Sequence, residues 1–258
     1  MTPHIETLDI DKSKSGKVDA VRRRLARHRH KRIVTPKLDR PIISFTFDDC
    51  PKSVVETALP LIEAEGWRAT IYVACGLCDI TNHMGLHMSR DDIKAVARNG
   101  HEIGDHTYGH LDGLRVTPDM FMADIVRNQA ELDALGIAPS RTFAYPYGQV
   151  TTALKKRLLK RFDLSRGVNR SSSTAFDEGL SPAMRLYHGQ AVNEARTRIE
   201  SYSTAPQWEV LFTHDVRDTP SDYGCTAADL KRTIQTVKES GAIVLPVAQA
   251  LDIARRQT

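Results

Sequence analysis

The stretch Ile42-Ile43-Ser44-Phe45-Thr46-Phe47-Asp48-Asp49 decides how this chain is read. A short β-prone run ends in two adjacent carboxylates, and burying such an end is costly unless the carboxylates are paired or bound to a cation. Downstream, His106-Thr107-Tyr108-Gly109-His110 supplies two imidazoles four residues apart, which a helical turn places on one face. Two histidines and one carboxylate make a three-ligand divalent-metal site with an open position for water. The second carboxylate is then free to act as a base. That combination is a hydrolase signature.

From residue 41 onward, short apolar runs alternate with helical stretches, as in a βα-repeating fold. Strands are expected at 42–47, 69–73, 142–144, 210–213 and 243–245, with a short extended piece at 101–105 delivering the histidine pair. Helices are expected at 51–66, 118–135, 151–161 and 227–240, and one from Ser89, a good N-cap, to Asn99-Gly100. The stretch 167–180, rich in Ser, Asn and Gly, reads as a loop near the site. There is no internal repeat and no second domain, and 258 residues with 41% hydrophobic side chains suit one substantial core.

Charge divides the chain into a basic N-terminal arm, 1–40, and a catalytic domain, 41–258. The arm carries twelve Lys/Arg against five Asp/Glu, a net of +7, whereas the remainder is net −3. The cations concentrate in 22–32, a run able to meet an anionic polymer or an anionic membrane surface. The run lacks the large apolar face of a membrane-seeking helix, so the plainer expectation is a solvated segment packing on the barrel or on a second subunit of an oligomer. With no apolar leader and no membrane-length run, the expected location is cytoplasmic, including the inner face of the membrane. Cys50, Cys75, Cys78 and Cys225 accordingly read as reduced thiols.

Thr46-Phe47-Asp48-Asp49, the run from Gly100 to His110, Phe143-Ala144-Tyr145-Pro146-Tyr147-Gly148 and Leu211-Phe212-Thr213-His214-Asp215 follow one another in order. Together they resemble the motifs of the polysaccharide deacetylases, the carbohydrate esterase family 4-like group sharing the NodB homology domain, over roughly residues 40 to 250. The resemblance implies an α/β fold, an irregular (β/α) barrel with about seven strands, with chemistry at the C-terminal strand ends. It implies that Asp49, His106 and His110 bind one divalent metal, that Asp48 is the general base and His214 the general acid, and that the Tyr147 N–H is an oxyanion donor. Zn²⁺ is the expected ion because the ligand set suits it, although Co²⁺ or Ni²⁺ fit the same ligands. Pro146 shapes the turn, and Tyr145 and Tyr147 offer ring faces for a sugar.

Plainer roles exist for each group. Asp48 can cap the helix that follows, but two consecutive carboxylates exceed one cap. His214 can be a core histidine, although its strand-end position favours chemistry. His101 reads as structural. The chain departs from the family at Cys50, where many members have Gly, and at Ala144, where many carry an Arg that braces the base. Arg166, at another strand end, is the expected substitute brace, and Asp177 and Asp215 are the candidates for tuning His214. Cys75-Gly76-Leu77-Cys78 with His83 and His87 invites a zinc-finger reading, but the gap between the ligand pairs is too short. No nucleic-acid partner is expected.

The expected function is removal of N-acetyl groups from N-acetylglucosamine-type sugars of a polysaccharide or its lipid-linked precursor, in exopolysaccharide or adhesin biosynthesis. The alternatives are an amidohydrolase or deformylase on a small or lipid-linked sugar, and an inactive carbohydrate-binding relative.

Overall fold

The computed structural model describes residues 16–171 and 173–258. In chain order the strands are β1 (Ile33–Val34), β2 (Ile42–Asp48), β3 (Thr70–Val73), β4 (Thr81–Asn82), β5 (Gly85–Leu86), β6 (Glu102–Asp105), β7 (Thr142–Ala144), β8 (Leu164–Arg166), β9 (Phe176–Asp177), β10 (Met184–Arg185), β11 (Trp208–Thr213) and β12 (Ile243–Val244). The α-helices are α1 (Lys17–His28), α2 (Leu59–Glu63), α3 (Arg90–Arg98), α4 (Pro118–Ala134), α5 (Thr152–Leu158), α6 (Gln190–Ser201), α7 (Ala227–Glu239) and α8 (Val247–Arg256).

Seven parallel strands in the order β10-β11-β2-β3-β6-β7-β8 curl into a half-barrel, as the family resemblance implies. Strand β12 takes Ile42 and Ile43 of β2, ahead of the Thr46–Asp48 stretch that pairs with β3. All seven residues of β2 are buried, which is why it reads as a near-continuous apolar run: a parallel strand covered on both faces has no polar side to alternate with. At the end opposite the site, the half-buried Glu102 carboxylate accepts from the Thr70 and Thr142 hydroxyls and the Ala248 N–H, tying β3, β7 and α8 together.

Local chemistry sets the helix starts. Ser89 and Asp92 form a reciprocal capping box at α3, and Thr226 and Asp229 form another at α7. The helix expected at 51–66 is interrupted in register: Val54–Ala58 is π-helical before α2 begins. Pro60 lacks the N–H that an unbroken α-ladder needs at that position, and the wider turn absorbs the mismatch.

The basic arm is joined to the barrel from residue 16 onward. Helix α1 lies on α5, with Ala26 buried in a cluster that includes Phe121, Phe143 and Phe162. Strand β1 pairs antiparallel with β9. The buried Lys155 ammonium donates to the Ala26 carbonyl at 2.9 Å and to Asp177 Oδ2 at 2.5 Å. Among the described residues no helix is long and apolar enough to cross a membrane.

Candidate active site

Strand β2 carries Asp48 as its last residue, and the chain then turns through two successive left-handed residues, Asp49 (φ 65°) and Cys50 (φ 55°). Glycine would enter that conformation freely, whereas an L-residue costs roughly 1–2 kcal/mol there. Thr107, His110 and Tyr147 also have positive φ, so five of the seven non-glycine residues of this kind among those described line one site. Strain gathered in this way marks a surrounding structure that over-determines the geometry.

His106 and His110 do converge, but not through a helical turn. The chain leaves β6 in a loop with left-handed residues at Thr107 and His110, and three side chains hold it. Asp105 Oδ1 accepts from the Thr107 N–H at 2.8 Å, Thr107 Oγ1 accepts from the Leu111 N–H at 3.0 Å, and Asp124 Oδ2 accepts from the Gly109 N–H at 2.8 Å. Burial pushes the Asp105 carboxyl up to about 7 despite the Thr107 bond. Sequence reasoning did not single out Asp105, Thr107 or Asp124. The only signal was their proximity to the histidine motif and a polar position on α4.

The buried Asp49 carboxylate is the centre. Its Oδ1 lies 3.2 Å from His106 Nε2 and 3.0 Å from His110 Nε2, and its Oδ2 lies 3.8 Å from His214 Nε2. Burial raises the Asp49 carboxyl, but the charge of His110 and the closeness of the His106 and His214 imidazoles outweigh it and hold the group well below the usual range. Burial opposes charge on His110 as well, and Asp49 raises it above the ordinary imidazole value. His106 Nδ1 lies 2.7 Å from the Ala144 carbonyl, so it carries the proton and Nε2 presents a lone pair. That lone pair faces Asp49 Oδ1, a buried oxygen with no hydrogen-bond partner. Two acceptors turned toward each other fit a shared cation. Among the described residues, Asp49, His106 and His110 alone bring three such donors within 4.8 Å of one another.

Arg166 ends β8, fully buried, and its Nη2 lies 2.5 Å from both Asp48 oxygens. Burial opposes the guanidinium charge, but Asp48 more than compensates and raises its pKa. The rings of Phe212 and Tyr72 flank it at 4.8 and 5.1 Å. Tyr72 lies across β6 at Gly104, where a Cβ would stand 2.4 Å from the ring. The guanidinium thus sits where the resemblance placed a bracing cation, supplied from another strand.

His214 follows β11 and is tied to a loop rather than to a carboxylate. Its Nδ1 donates to the Tyr223 carbonyl at 3.1 Å, leaving Nε2 toward Asp49. Neither carboxylate expected to tune it contacts the ring in this way. Asp177 bonds Lys155, while Asp215 accepts from Arg217 Nε and from the Ser221 N–H and hydroxyl. Asp215 instead fixes the loop that carries Tyr223, and Gly224 is needed there because a Cβ would meet the Asp215 carbonyl at 2.5 Å. Tyr187 and Tyr223 stand beside the His214 ring at 6.0 and 5.7 Å, a wall that local sequence did not reveal.

Of the aromatic pair in the third motif, only Tyr147 is accessible, at 42% exposure, with its ring 4.4 Å from that of His110. Tyr145 does not offer a face to a sugar. It is buried edge-on against Phe143, its hydroxyl donating to the Gly179 carbonyl. Pro146 is buried in the 3-10 turn between them. His101 is structural, bonded to the Ala69 N–H and to Glu63. The four cysteines are free and buried. His83 packs edge-on against Tyr223 and His87 Nδ1 donates to the Ile80 carbonyl.

Residues 35–164 match the family model described as polysaccharide deacetylase. A putative polysaccharide deacetylase of Bacillus subtilis, YxkH, is 25% identical over 109 residues, 42% of this chain and 37% of its own. The chain spans little more than a third of the length of the curated relatives it matches. Among solved structures, a carbohydrate esterase family 4 domain of a xylanase from the hindgut metagenome of Trinervitermes trinervoides superposes with a TM-score of 0.58 and 19% identity, over 83% of this chain and 91% of that one. The chitin deacetylase of Colletotrichum lindemuthianum does so with a TM-score of 0.60 and 16% identity, over 83% and 89%. These likenesses establish the half-barrel fold, and with half of its length matched by the family model, the chain belongs to the polysaccharide deacetylase family.

Proposed function

We propose that the protein is a metal-dependent N-deacetylase that hydrolyses the acetamide of N-acetylglucosamine-type sugars in a polysaccharide or its lipid-linked precursor. The observation that carries this reading is the His106 lone pair and the orphaned Asp49 oxygen facing each other beside Asp48. Asp49, His106 and His110 would hold the ion. A divalent ion bound there polarises an amide carbonyl and lowers the pKa of water.

The chain's own residues do the rest. Asp48, held by Arg166, accepts the proton of the attacking water. His214 Nε2 delivers a proton to the departing amine as the C–N bond breaks, and its orientation is kept by the Tyr223 carbonyl. The Tyr147 N–H is the donor for the developing oxyanion, a kind of contact worth ~2.7–4 kcal/mol. The products are acetate and a free amino sugar. Zn²⁺ is the ion we favour, with Co²⁺ and Ni²⁺ compatible. Action before export, at the cytoplasmic face, suits a biosynthetic role in exopolysaccharide or adhesin production.

The test is acetate release from short N-acetylglucosamine oligomers by metal-loaded protein. Asp48→Asn is expected to lower kcat by about 10²–10⁴-fold, the usual contribution of a general base, while still binding the sugar. His106→Ala is expected to lose the bound metal by elemental analysis as well as the activity. Sugar binding without turnover by the wild type would favour an inactive carbohydrate-binding relative. Turnover of formylated or small lipid-linked amides alone would favour the narrower amidohydrolase.

A further inference from the structure

Helix α1 presents a face that the barrel does not use. Val18, Val21 and Leu25, spaced i, i+3 and i+7, share one side of the helix, and they are 64%, 56% and 48% exposed. The opposite side is spent on the domain through the buried Asp19 and Ala26. At 100° per residue Arg22 flanks the aliphatic stripe on one side, and Lys17, Arg24 and His28 flank it on the other. Lys17, Arg24, Arg29 and Lys31 make no ion pair with any described residue. A recess of about 450 Å³ on the same helix is lined, among described residues, by Ala20, Arg23, Arg24, Arg27 and His28.

We infer that α1 is a docking surface for an anionic lipid bilayer. Three observations select that occupant. An exposed aliphatic stripe bordered on both sides by cations is the pattern of an interfacial helix, whose apolar side enters the headgroup boundary while its cations meet lipid phosphates. The cations outnumber acids on this segment, and its one acid, Asp19, is turned inward onto Arg115 at 2.7 Å. The helix is also anchored beside the mouth of the site. Arg23 Nη1 donates to Gln149 Oε1 at 3.2 Å, two residues beyond Tyr147, and Arg27 Nη2 donates to Asn169 Oδ1 at 3.1 Å. Docking through α1 would hold the domain at the bilayer surface, where a lipid-linked carbohydrate is displayed. That use rests on the proposed deacetylase reading; the docking itself does not.

The test is co-sedimentation of the full chain with vesicles of phosphatidylcholine alone or mixed with phosphatidylglycerol, at low and high salt. Wild type binds the anionic vesicles, and binding falls about tenfold or more in Val21→Asp/Leu25→Asp and in Arg22→Glu/Arg24→Glu/Arg29→Glu. All of these side chains are exposed, so the melting temperature stays near wild type. Acetate release from soluble oligomers, measured in parallel, is unchanged by both variants, which separates failure of docking from failure of the reaction. The inference is overturned if wild type ignores anionic vesicles, or if it binds neutral and anionic vesicles alike. It is overturned too if Val21→Asp/Leu25→Asp binds as wild type does, leaving a charge-only contact with polyanions, or if light scattering shows a wild-type dimer that this variant dissolves, making the face a contact between copies.

Discussion

Asp48 and Arg166 are the residue pair on which both stability and chemistry turn. Both are buried, and the guanidinium addresses both carboxylate oxygens. Removing one partner of a buried pair leaves an uncompensated charge and typically costs about 3–5 kcal/mol. Arg166→Met is therefore expected to lower the unfolding free energy measured by urea denaturation by that amount and to abolish acetate release. Arg166→Met/Asp48→Asn should recover part of the stability and none of the activity. A double variant whose cost equals the sum of the Arg166→Met and Asp48→Asn costs would show that the pair is not coupled. Cys50 belongs to the same scale: its left-handed backbone is one that glycine enters freely, and here a buried thiol occupies it.

At the scale of elements, the capping boxes are the clearest case of local chemistry deciding structure. Asp229 closes the box at α7 and also meets His188 and Arg232. Burial raises its carboxyl, but hydrogen bonds from His188, Thr226 and Arg232 prevail and bring it down to about 2. The sign follows from linkage. A carboxyl depressed in the folded state stabilises above its unfolded value near 3.8, and that stabilisation is lost as pH falls toward about 2. Asp229→Ala is expected to cost about 1–2 kcal/mol at neutral pH. Chemical denaturation at a series of pH values should show the gap from wild type closing through the acid range, and a gap that persists to the lowest pH would refute the assignment.

At the scale of the whole molecule, the basic segment behaves as part of the domain. Deleting residues 1–40 removes α1 and β1, takes the carbonyl partner from the buried Lys155 and uncovers the cluster around Phe121 and Phe143. A hydrogen bond to a charged group contributes about 1.5–3 kcal/mol by itself. The shortened chain is thus expected to unfold at lower urea, with an unfolding free energy reduced by at least that much. An unchanged midpoint would mean that the arm is dispensable to the fold.

The sequence by itself determined the βα alternation behind the parallel sheet, the helix starts near Ser89 and residue 227, and the candidates Asp48, Asp49, His106, His110, His214 and Arg166. The elements depend on periodicity and on contacts a few residues apart, which a single stretch of chain contains, and the candidates on four short motifs in order or, for Arg166, on a strand end. Tertiary structure alone decided the rest. The histidine pair converges through left-handed residues at Thr107 and His110, a conformation that ordinary backbone preference disfavours and only surrounding contacts impose. Asp48 meets Arg166 across 118 positions because the curl of the sheet brings the ends of β2 and β8 together although β3, β6 and β7 lie between them. His214 takes the Tyr223 carbonyl rather than a carboxylate, since Asp215 turns away to hold the loop. Tyr145 is buried and Tyr147 open although they stand two positions apart, which a strand would place on one face, because the turn through Pro146 and the left-handed Tyr147 breaks that alternation. Val18, Val21 and Leu25 are aliphatic residues that composition assigns to a core, and only the packing of the opposite side of α1 left them facing solvent.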